Sequence, residues 1–433
     1  MYAALVKRWF LQLPDRVWRA TLMRSGLVTV LLLALVLLVL TLGWRAHQHG
    51  RFAVLKAELK RPAPPPPMPS FRPGGQDPII LERTQVEAGT APEFLKATLL
   101  PGRGMDLLQI TAYLPEKGEV QLLASPSLER ATKMLNDPAA AVNSGSLSLG
   151  GPFEAPWAGL IRGSIGPDGE TMNVSWQGHT VNLPAGRHNV GAATAAGGLL
   201  LGQAASRANT NVMPDGGEAQ GVFAAGDFDG HWLSQTEVTT TVQLDSRAME
   251  MKIVARNTGD QPEPIGLGWR PQFAILGNRA SVRLRLPSDV RTEVKDRKSG
   301  LPTGKLLTAT RGEYDFTQPN GAPLGSLGLD ETFVHLRQGL LENGPTVEVR
   351  DPENHYGLRI TTLTSTIKAL QVYAPADKSF ISISPQFNYD DPFGREWPAD
   401  EDTGMVTLAP GQSATWRIRL EIFPLTAVDR SHL

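Results

Sequence analysis

Apolar positions fall into two regimes along the chain. From Gly26 to Gly43 they run unbroken, with VTVLLLALVLLVLTL at the centre and no charged residue. At 1.5 Å per residue, roughly 20 such residues cross the ~30 Å hydrocarbon layer of a bilayer. The run therefore predicts a transmembrane helix over 26–44, with Trp44 placed as an interfacial aromatic and Arg24 and Arg45 as its charged brackets. A cleaved signal peptide is the competing reading; the length of the run and the absence of a small-residue cleavage site argue against it. Past residue 79 the period changes to two. Val238–Leu244, Met249–Asn257, Ala280–Pro287, Lys368–Tyr373, Ser379–Ser384 and Thr415–Phe423 alternate apolar with polar residues, the signature of strands buried on one face. Leu128–Leu135 alone reads as helix.

The segments around the span carry their own signals. Tyr2, Leu5, Val6, Trp9, Phe10, Leu13, Val17 and Trp18 recur at helical spacing among basic residues. Residues 1–25 thus read either as an amphipathic helix on the inner leaflet, as a plain cytoplasmic tail, or as a helix for an integral-membrane partner. Residues 45–78 read as a helical extension to Lys60 followed by a tether. Pro62-Ala-Pro-Pro-Pro-Pro-Met-Pro69 favours polyproline geometry over helix or central strand. Residues 79–425 form the β domain and 426–433 a tail. Basic residues flank the span on both sides, so charge does not set its direction. A short leading segment, one span and a large trailing domain set the expectation instead: cytoplasmic N-terminus, periplasmic domain, bacterial inner membrane.

Composition narrows the chemistry. The 433 residues contain no cysteine, which excludes disulfides, thiolate metal sites and a cysteine nucleophile. Eight histidines fall in no metal-binding spacing, and no cofactor or metal is expected. A formal net charge of −1 gives no field to draw nucleic acid. The expected partners are the bilayer through 26–44, a saccharide, and integral-membrane proteins through the N-terminal helices.

Eight landmarks in the β domain resemble, in order, those of the aldose 1-epimerase (galactose mutarotase) family. Leu100-Pro-Gly-Arg-Gly104 with Leu107–Ile110 is similar to its opening strands. Gly150–Ala158 with Gly159-Leu-Ile-Arg-Gly163 resembles the P-x-A-N-R-I segment, Gly197-Gly-Leu-Leu200 the H-G pair, and Trp269-Arg-Pro-Gln-Phe273 the H-P-Y-F segment. Leu301-Pro-Thr-Gly304 with Tyr314-Asp-Phe316, Leu329-Asp-Glu-Thr-Phe333, Ser382-Ile-Ser-Pro-Gln386 and Leu408-Ala-Pro-Gly-Gln412 complete the series. The resemblance implies a mainly β fold, an antiparallel supersandwich behind a single transmembrane helix. It also implies where a proton-transfer site would lie.

Mutarotation needs a base at the anomeric hydroxyl and an acid at the ring oxygen, each titrating near the working pH. In the family these are a Glu and a His. Carried over residue by residue, the base position is Ser384 and the acid position Arg270. The N-R pair falls on Gly159 and Leu160, the H-G histidine on Gly197, and Asp330 alone is retained. A serine hydroxyl is no base without an activating neighbour, and guanidinium does not cycle its proton. The expectation is a non-catalytic saccharide-binding or interaction subunit, with an epimerase using relocated groups as the alternative. Arg162, Trp157, Trp269, Arg270, Gln272, Asp330 and Gln386 are the carbohydrate-binding candidates.

Overall fold

A computed structural model describes residues 15–60, 71–83, 89–136, 149–189, 192–297 and 299–425. The chain divides into two compact units, Met1–Pro69 and Ser70–Leu433. Residues 1–14 of the predicted amphipathic segment, the proline run and the tail 426–433 lie outside the described residues.

In the first unit one helix, Asp15–Lys60, runs through the predicted span and on through its predicted extension. Its segment Gly26–Phe52, whose most apolar 18-residue window has a mean hydropathy of 2.8, is long and apolar enough to cross a membrane. Leu27 through Leu42 present their side chains outward and exposed. In water that exposed apolar surface is unfavourable at about 25 cal/mol per Å².

The second unit is built of antiparallel sheets. A nine-stranded sheet runs in the order Arg207–Met213, Gly216–Gly226, Thr236–Leu244, Ala248–Asn257, Ser413–Pro424, Tyr356–Thr362, Thr346–Asp351, Arg283–Arg285, Ala322–Pro323. An eight-stranded sheet runs Pro302–Thr308, Val290–Val294, Leu329–Val334, Ala369–Ala374, Phe380–Gln386, Gly268–Trp269, Phe153–Glu154, with Gln272–Ala274 also paired to Phe380–Gln386. Sheets of four and five strands, from residues 79–121 and 160–196, and a two-stranded sheet of Glu263–Ile265 with Val406–Leu408 accompany them.

Period two explains the layering. In Ser413–Pro424 the buried positions are Ala414, Trp416, Ile418, Leu420 and Ile422, every second residue. They enter one core with Val238, Val242, Met251 and Ile253 of the same sheet and with Phe333, Leu370, Val372, Ile381 and Ile383 of the eight-stranded sheet. Two sheets closing on a shared core make the sandwich. Because alternate side chains point to opposite faces, fixing those residues inward turns Asp330, Thr332, Gln371, Tyr373, Ser382, Ser384 and Gln386 to the other face.

The predicted helix Leu128–Leu135 is present, capped by Ser127, whose Oγ accepts from the Arg130 N–H. The predicted strand Ala280–Pro287 is cut to Arg283–Arg285. Its first residues form a turn in which the Ser281 N–H donates to the Asn278 carbonyl, which withdraws them from the ladder.

Candidate functional site

Register assembles the polar face of the eight-stranded sheet. Asp330 lies opposite Tyr373, which lies opposite Ser382, which lies opposite Gln272. One row over, Thr332 opposes Gln371 and Gln371 opposes Ser384. In the third row Gln386 opposes Gly268, which opposes Glu154. Strands distant in sequence thereby place nine polar side chains on one surface. The loop from Phe387 to Asp402 lies against it, anchored where Tyr389 and Trp397 pack edge to face on Val334 and Ala369.

Arg270 is the charge at the centre. Its Nε donates to Glu154 Oε1 at 2.9 Å; the Glu154 side chain is fully buried and that of Arg270 is 21% exposed. The second Glu154 oxygen accepts the Gly159 N–H at 3.2 Å. Burial pushes the Glu154 carboxyl up, while Arg270 and the Gly159 amide pull it down. For Arg270, burial acts to lower the pKa but is outweighed by Glu154, Asp390 and Asp330, so it is held the more firmly cationic.

Asp390 reaches the site from the loop. Its carboxylate accepts from the Leu160 N–H at 2.9 Å and from the Thr332 hydroxyl at 2.6 Å. Gly159 makes this approach possible. It has φ +67, and a Cβ there would stand 2.4 Å from Asp390 Oδ1. The Gly197 N–H donates to the Gly159 carbonyl at 2.9 Å and holds that turn. Gly159, Leu160 and Gly197 therefore serve the site through backbone.

Asp330 accepts from Gln371 Nε2 at 3.0 Å. Its side chain reaches solvent, yet enough protein surrounds it that desolvation, reinforced by Asp390, raises its pKa against the pull of Arg270 and Gln371. Beside it Tyr373 is 38% exposed, its ring 5.9 Å from that of Phe380.

The remaining sequence candidates scatter. Ser384 is fully buried, its hydroxyl 3.4 Å from that of Ser382, with no acidic or imidazole neighbour in hydrogen-bond contact among the described residues. Gln272 and Gln386 lie on the polar face, nearly closed to solvent, and Gln386 Nε2 donates to the Asn388 carbonyl. Arg162 stands to one side, bound to Asp391 at 3.1 Å and to Glu396. Asp391 is raised to about 7 by burial and by its hydrogen bond to Glu396, but at 1% exposure it lies behind the site rather than on it. Trp157 and Trp269 do not reach the face. Trp157 stacks on Trp232 in the core, and the Trp269 indole N–H donates to the Gly151 carbonyl. Sequence reasoning named none of Glu154, Thr332, Gln371, Tyr373 and Asp390 as site residues. Strand alternation was the signal that points to Thr332, Gln371 and Tyr373.

Four described histidines engage elsewhere: His231 with the Asn182 carbonyl, His335 with Glu401, His355 with Glu116, and His179 beside Trp176. None of these partners belongs to the Arg270 cluster. The site thus offers a fixed cation, an accessible carboxylate and an aromatic edge.

A family model described as Aldose 1-epimerase matches residues 168–421. Among solved structures, a galactose mutarotase-like protein from Clostridium acetobutylicum aligns at 17% identity and a TM-score of 0.61, over 78% of this chain and 94% of that one. Galactose 1-epimerase from Lactobacillus acidophilus NCFM aligns at 13% identity and 0.56, over 81% and 99%. An aldose epimerase homologue from C. elegans aligns at 16% and 0.55, over 78% and 100%. At such identities the likeness is one of fold. No curated protein matches the sequence at significance.

Proposed function

This chain belongs to the aldose 1-epimerase family, and from that premise we propose that it is a membrane-anchored member that binds a saccharide without interconverting its anomers. The helix Gly26–Phe52 is the anchor, the N-terminus is cytoplasmic, and the β domain faces the periplasm of a bacterial inner membrane. Residues 1–25, 26–44, 45–78, 79–425 and 426–433 act as inner-leaflet segment, span, extension with tether, binding domain and tail. The outward-facing leucines of the helix are the surface for integral-membrane partners.

One observation carries the reading. The polar face gathers Arg270, Asp330 and Gln371 beside the exposed Tyr373 ring, which packs on half-buried Phe380, while the groups at its centre do not trade protons. Arg270 is locked to Glu154, and Ser384 is buried without an activating base. A pyranose stacking its C–H face on Tyr373 directs hydroxyls at Asp330, Gln371 and Arg270, the mixture of apolar wall and few polar anchors common to ligand sites.

A ligand that binds only the native state raises its melting temperature. Detergent-purified protein scanned against neutral hexoses is therefore expected to show a saccharide-dependent shift, and polarimetry of freshly dissolved glucose or galactose is expected to show no acceleration. The second reading, an active epimerase with relocated groups, draws support from Asp330, a solvent-reaching carboxyl with a raised pKa suited to a base. Acceleration abolished by Asp330→Asn would establish it and remove the first. Mild-detergent purification with mass spectrometry tests for a membrane partner.

A further inference from the structure

The nine-stranded sheet ends on an unprotected edge. Arg207–Met213 pairs on one side with Gly216–Gly226, from Arg207 opposite Val222 to Met213 opposite Gly216, with no shift in register. On its other side it meets no strand among the described residues. All its residues are exposed, Val212 at 58% and Met213 at 45%. A bare edge presents a row of backbone N–H and C=O groups to any strand that approaches, and proteins blunt it with short strands, proline, lysine or bulges. Other edges of this unit are blunted in those ways. Pro302–Thr308 opens on proline and carries Gly304 at φ +81 and Lys305, and His179–Pro184 ends on proline. Ala322–Pro323, at the far end of the nine-stranded sheet, is two residues long. Arg207–Met213 has no proline, glycine or lysine.

The strand is complementary to itself. Ala208, Thr210 and Val212 share a face with Gly221, Ala219 and Gly217, core-facing positions of the neighbouring strand. The core stops at that neighbour and leaves Val212 in water. Arg207, Asn209, Asn211 and Met213 lie on the opposite face. Turned antiparallel onto a second copy about Thr210, the strand sets Ala208 opposite Val212 on the first face and Asn209 opposite Asn211 on the second. The apolar pair covers surface that one copy leaves bare, and each asparagine has both a donor and an acceptor to exchange. Arg207, the strand's single charge, falls opposite Met213, which keeps the two Arg207 residues roughly 20 Å apart along the ladder. Parallel pairing in register would set the two arginines side by side, which is unfavourable.

We propose that Arg207–Met213 is a dimerisation edge: a second copy of this chain adds its own Arg207–Met213 antiparallel about Thr210, and the nine-stranded sheet runs on through both copies. The inference stands apart from the saccharide reading and draws only on the membrane anchor. A two-fold axis at Thr210 makes the contact isologous, so it closes at two copies. A seam of one strand is small beside the ~1,200–2,000 Å² that a stable interface buries. It therefore needs copies held close together, which the helix Gly26–Phe52 does by confining them to one bilayer.

The chain has no cysteine, so single substitutions report the register directly. In the full chain reconstituted into lipid vesicles, Thr210→Cys puts two thiols on directly opposed residues with Cα atoms about 4.5–5.5 Å apart, inside the ~4.4–6.8 Å window of a disulfide. Under a mild oxidant this variant is expected to form a covalent dimer. Ala208→Cys alone and Val212→Cys alone set the paired thiols roughly 14 Å apart along the ladder and are expected to stay monomeric. Mixed in one vesicle, those two variants are expected to cross-link to each other. Equal yields from the three single variants overturn the proposal. So does the absence of a dimer from Thr210→Cys, the result if another protein's strand occupies the edge. Energy transfer between copies labelled through exposed Lys378→Cys gives a reading that leaves the strand unaltered. Adding Thr210→Lys, which sets like charges face to face, is expected to abolish that transfer. No transfer before the change, or transfer unaffected by it, also overturns the proposal.

Discussion

Replacing Arg270 by Met removes the partner of a carboxylate that has no route to water. Glu154 is fully buried and keeps one other hydrogen bond, from the Gly159 N–H at 3.2 Å. Orphaning one member of a buried pair is unfavourable by about 3–5 kcal/mol. Arg270 is itself 21% exposed, so screening discounts the figure to about 3 kcal/mol. For a unit of roughly 360 residues the unfolding entropy is about 0.75 kcal/mol/K, and ~3 kcal/mol lowers Tm by ~4 °C. The pH dependence identifies the cause. Burial already raises the Glu154 carboxyl, and Arg270 is the strongest influence holding it down. Without Arg270 its folded pKa climbs further above the unfolded value of ~4.3. The native state then binds more protons than the unfolded state, so the variant loses stability as pH rises from the unfolded to the folded pKa.

Melting curves of both proteins from pH ~4 to ~8 are expected to converge at the acid end and separate as pH rises, with the full gap reached once Glu154 ionises. Adding Glu154→Gln to the variant should recover much of the loss at neutral pH, since a neutral amide is far less unfavourable to bury than an unpaired charge. A deficit of the same size at every pH would refute the reasoning, for it would mean that Arg270 contributes packing and not charge compensation.

Three further outcomes follow from the geometry. Gly159→Ala places a Cβ 2.4 Å from Asp390 Oδ1 at a backbone of φ +67; it is expected to destabilise by about 2–3 kcal/mol in thermal melts and to abolish any saccharide-dependent shift, and an unaltered Tm would contradict the close approach. Asp391, raised to about 7 by burial and Glu396, makes stability fall with rising pH between its unfolded value and about 7, by at most about 1.4 kcal/mol per pH unit; Asp391→Asn keeps the acceptor for the Arg162 N–H and should flatten that slope, whereas an unchanged slope assigns it to another group. Leu35→Arg with Val39→Arg puts two charges mid-span at about 2.5–3.5 kcal/mol each and should release the chain from the membrane fraction; full retention would mean that 26–52 is not what holds it there.

How much was legible depended on whether the signal is local. Ser413–Pro424 announces itself because every second residue is apolar and both its neighbours lie in the same sheet. Leu128–Leu135 is legible from its own amphipathicity and from Ser127 ahead of it. Ala280–Pro287 alternates just as well, yet a turn at Asn278–Ser281 takes its first residues, and alternation carries no mark of that. The site is harder. Glu154 and Arg270 are 116 positions apart and Thr332 and Asp390 are 58 apart; no spacing rule joins them. Trp157 and Trp269 were candidates because tryptophan suits sugars, but a ring of that size also fills a core, and here the core holds both. Smaller Tyr373, unremarked in its strand, takes the exposed place.

On the proposed reading, the two changes at the centre of the site depend on each other. A guanidinium at Arg270, with most of its surface removed from water, is tolerable only beside a carboxylate, and Glu154 supplies it from the strand beyond Gly268. With Glu154 ionised there and Asp390 and Asp330 nearby, another carboxylate at position 384 would be buried one row from Asp330 and opposite Gln371. Each added negative charge raises the pKa of its neighbours and of itself. Serine at 384 avoids that crowding: it fills the space, accepts or donates a single bond to Ser382, and carries no charge. A basic residue at 270 and a neutral one at 384 thus follow from one electrostatic condition. That condition favours a surface that holds a ligand by fixed charges over one that passes a proton back and forth.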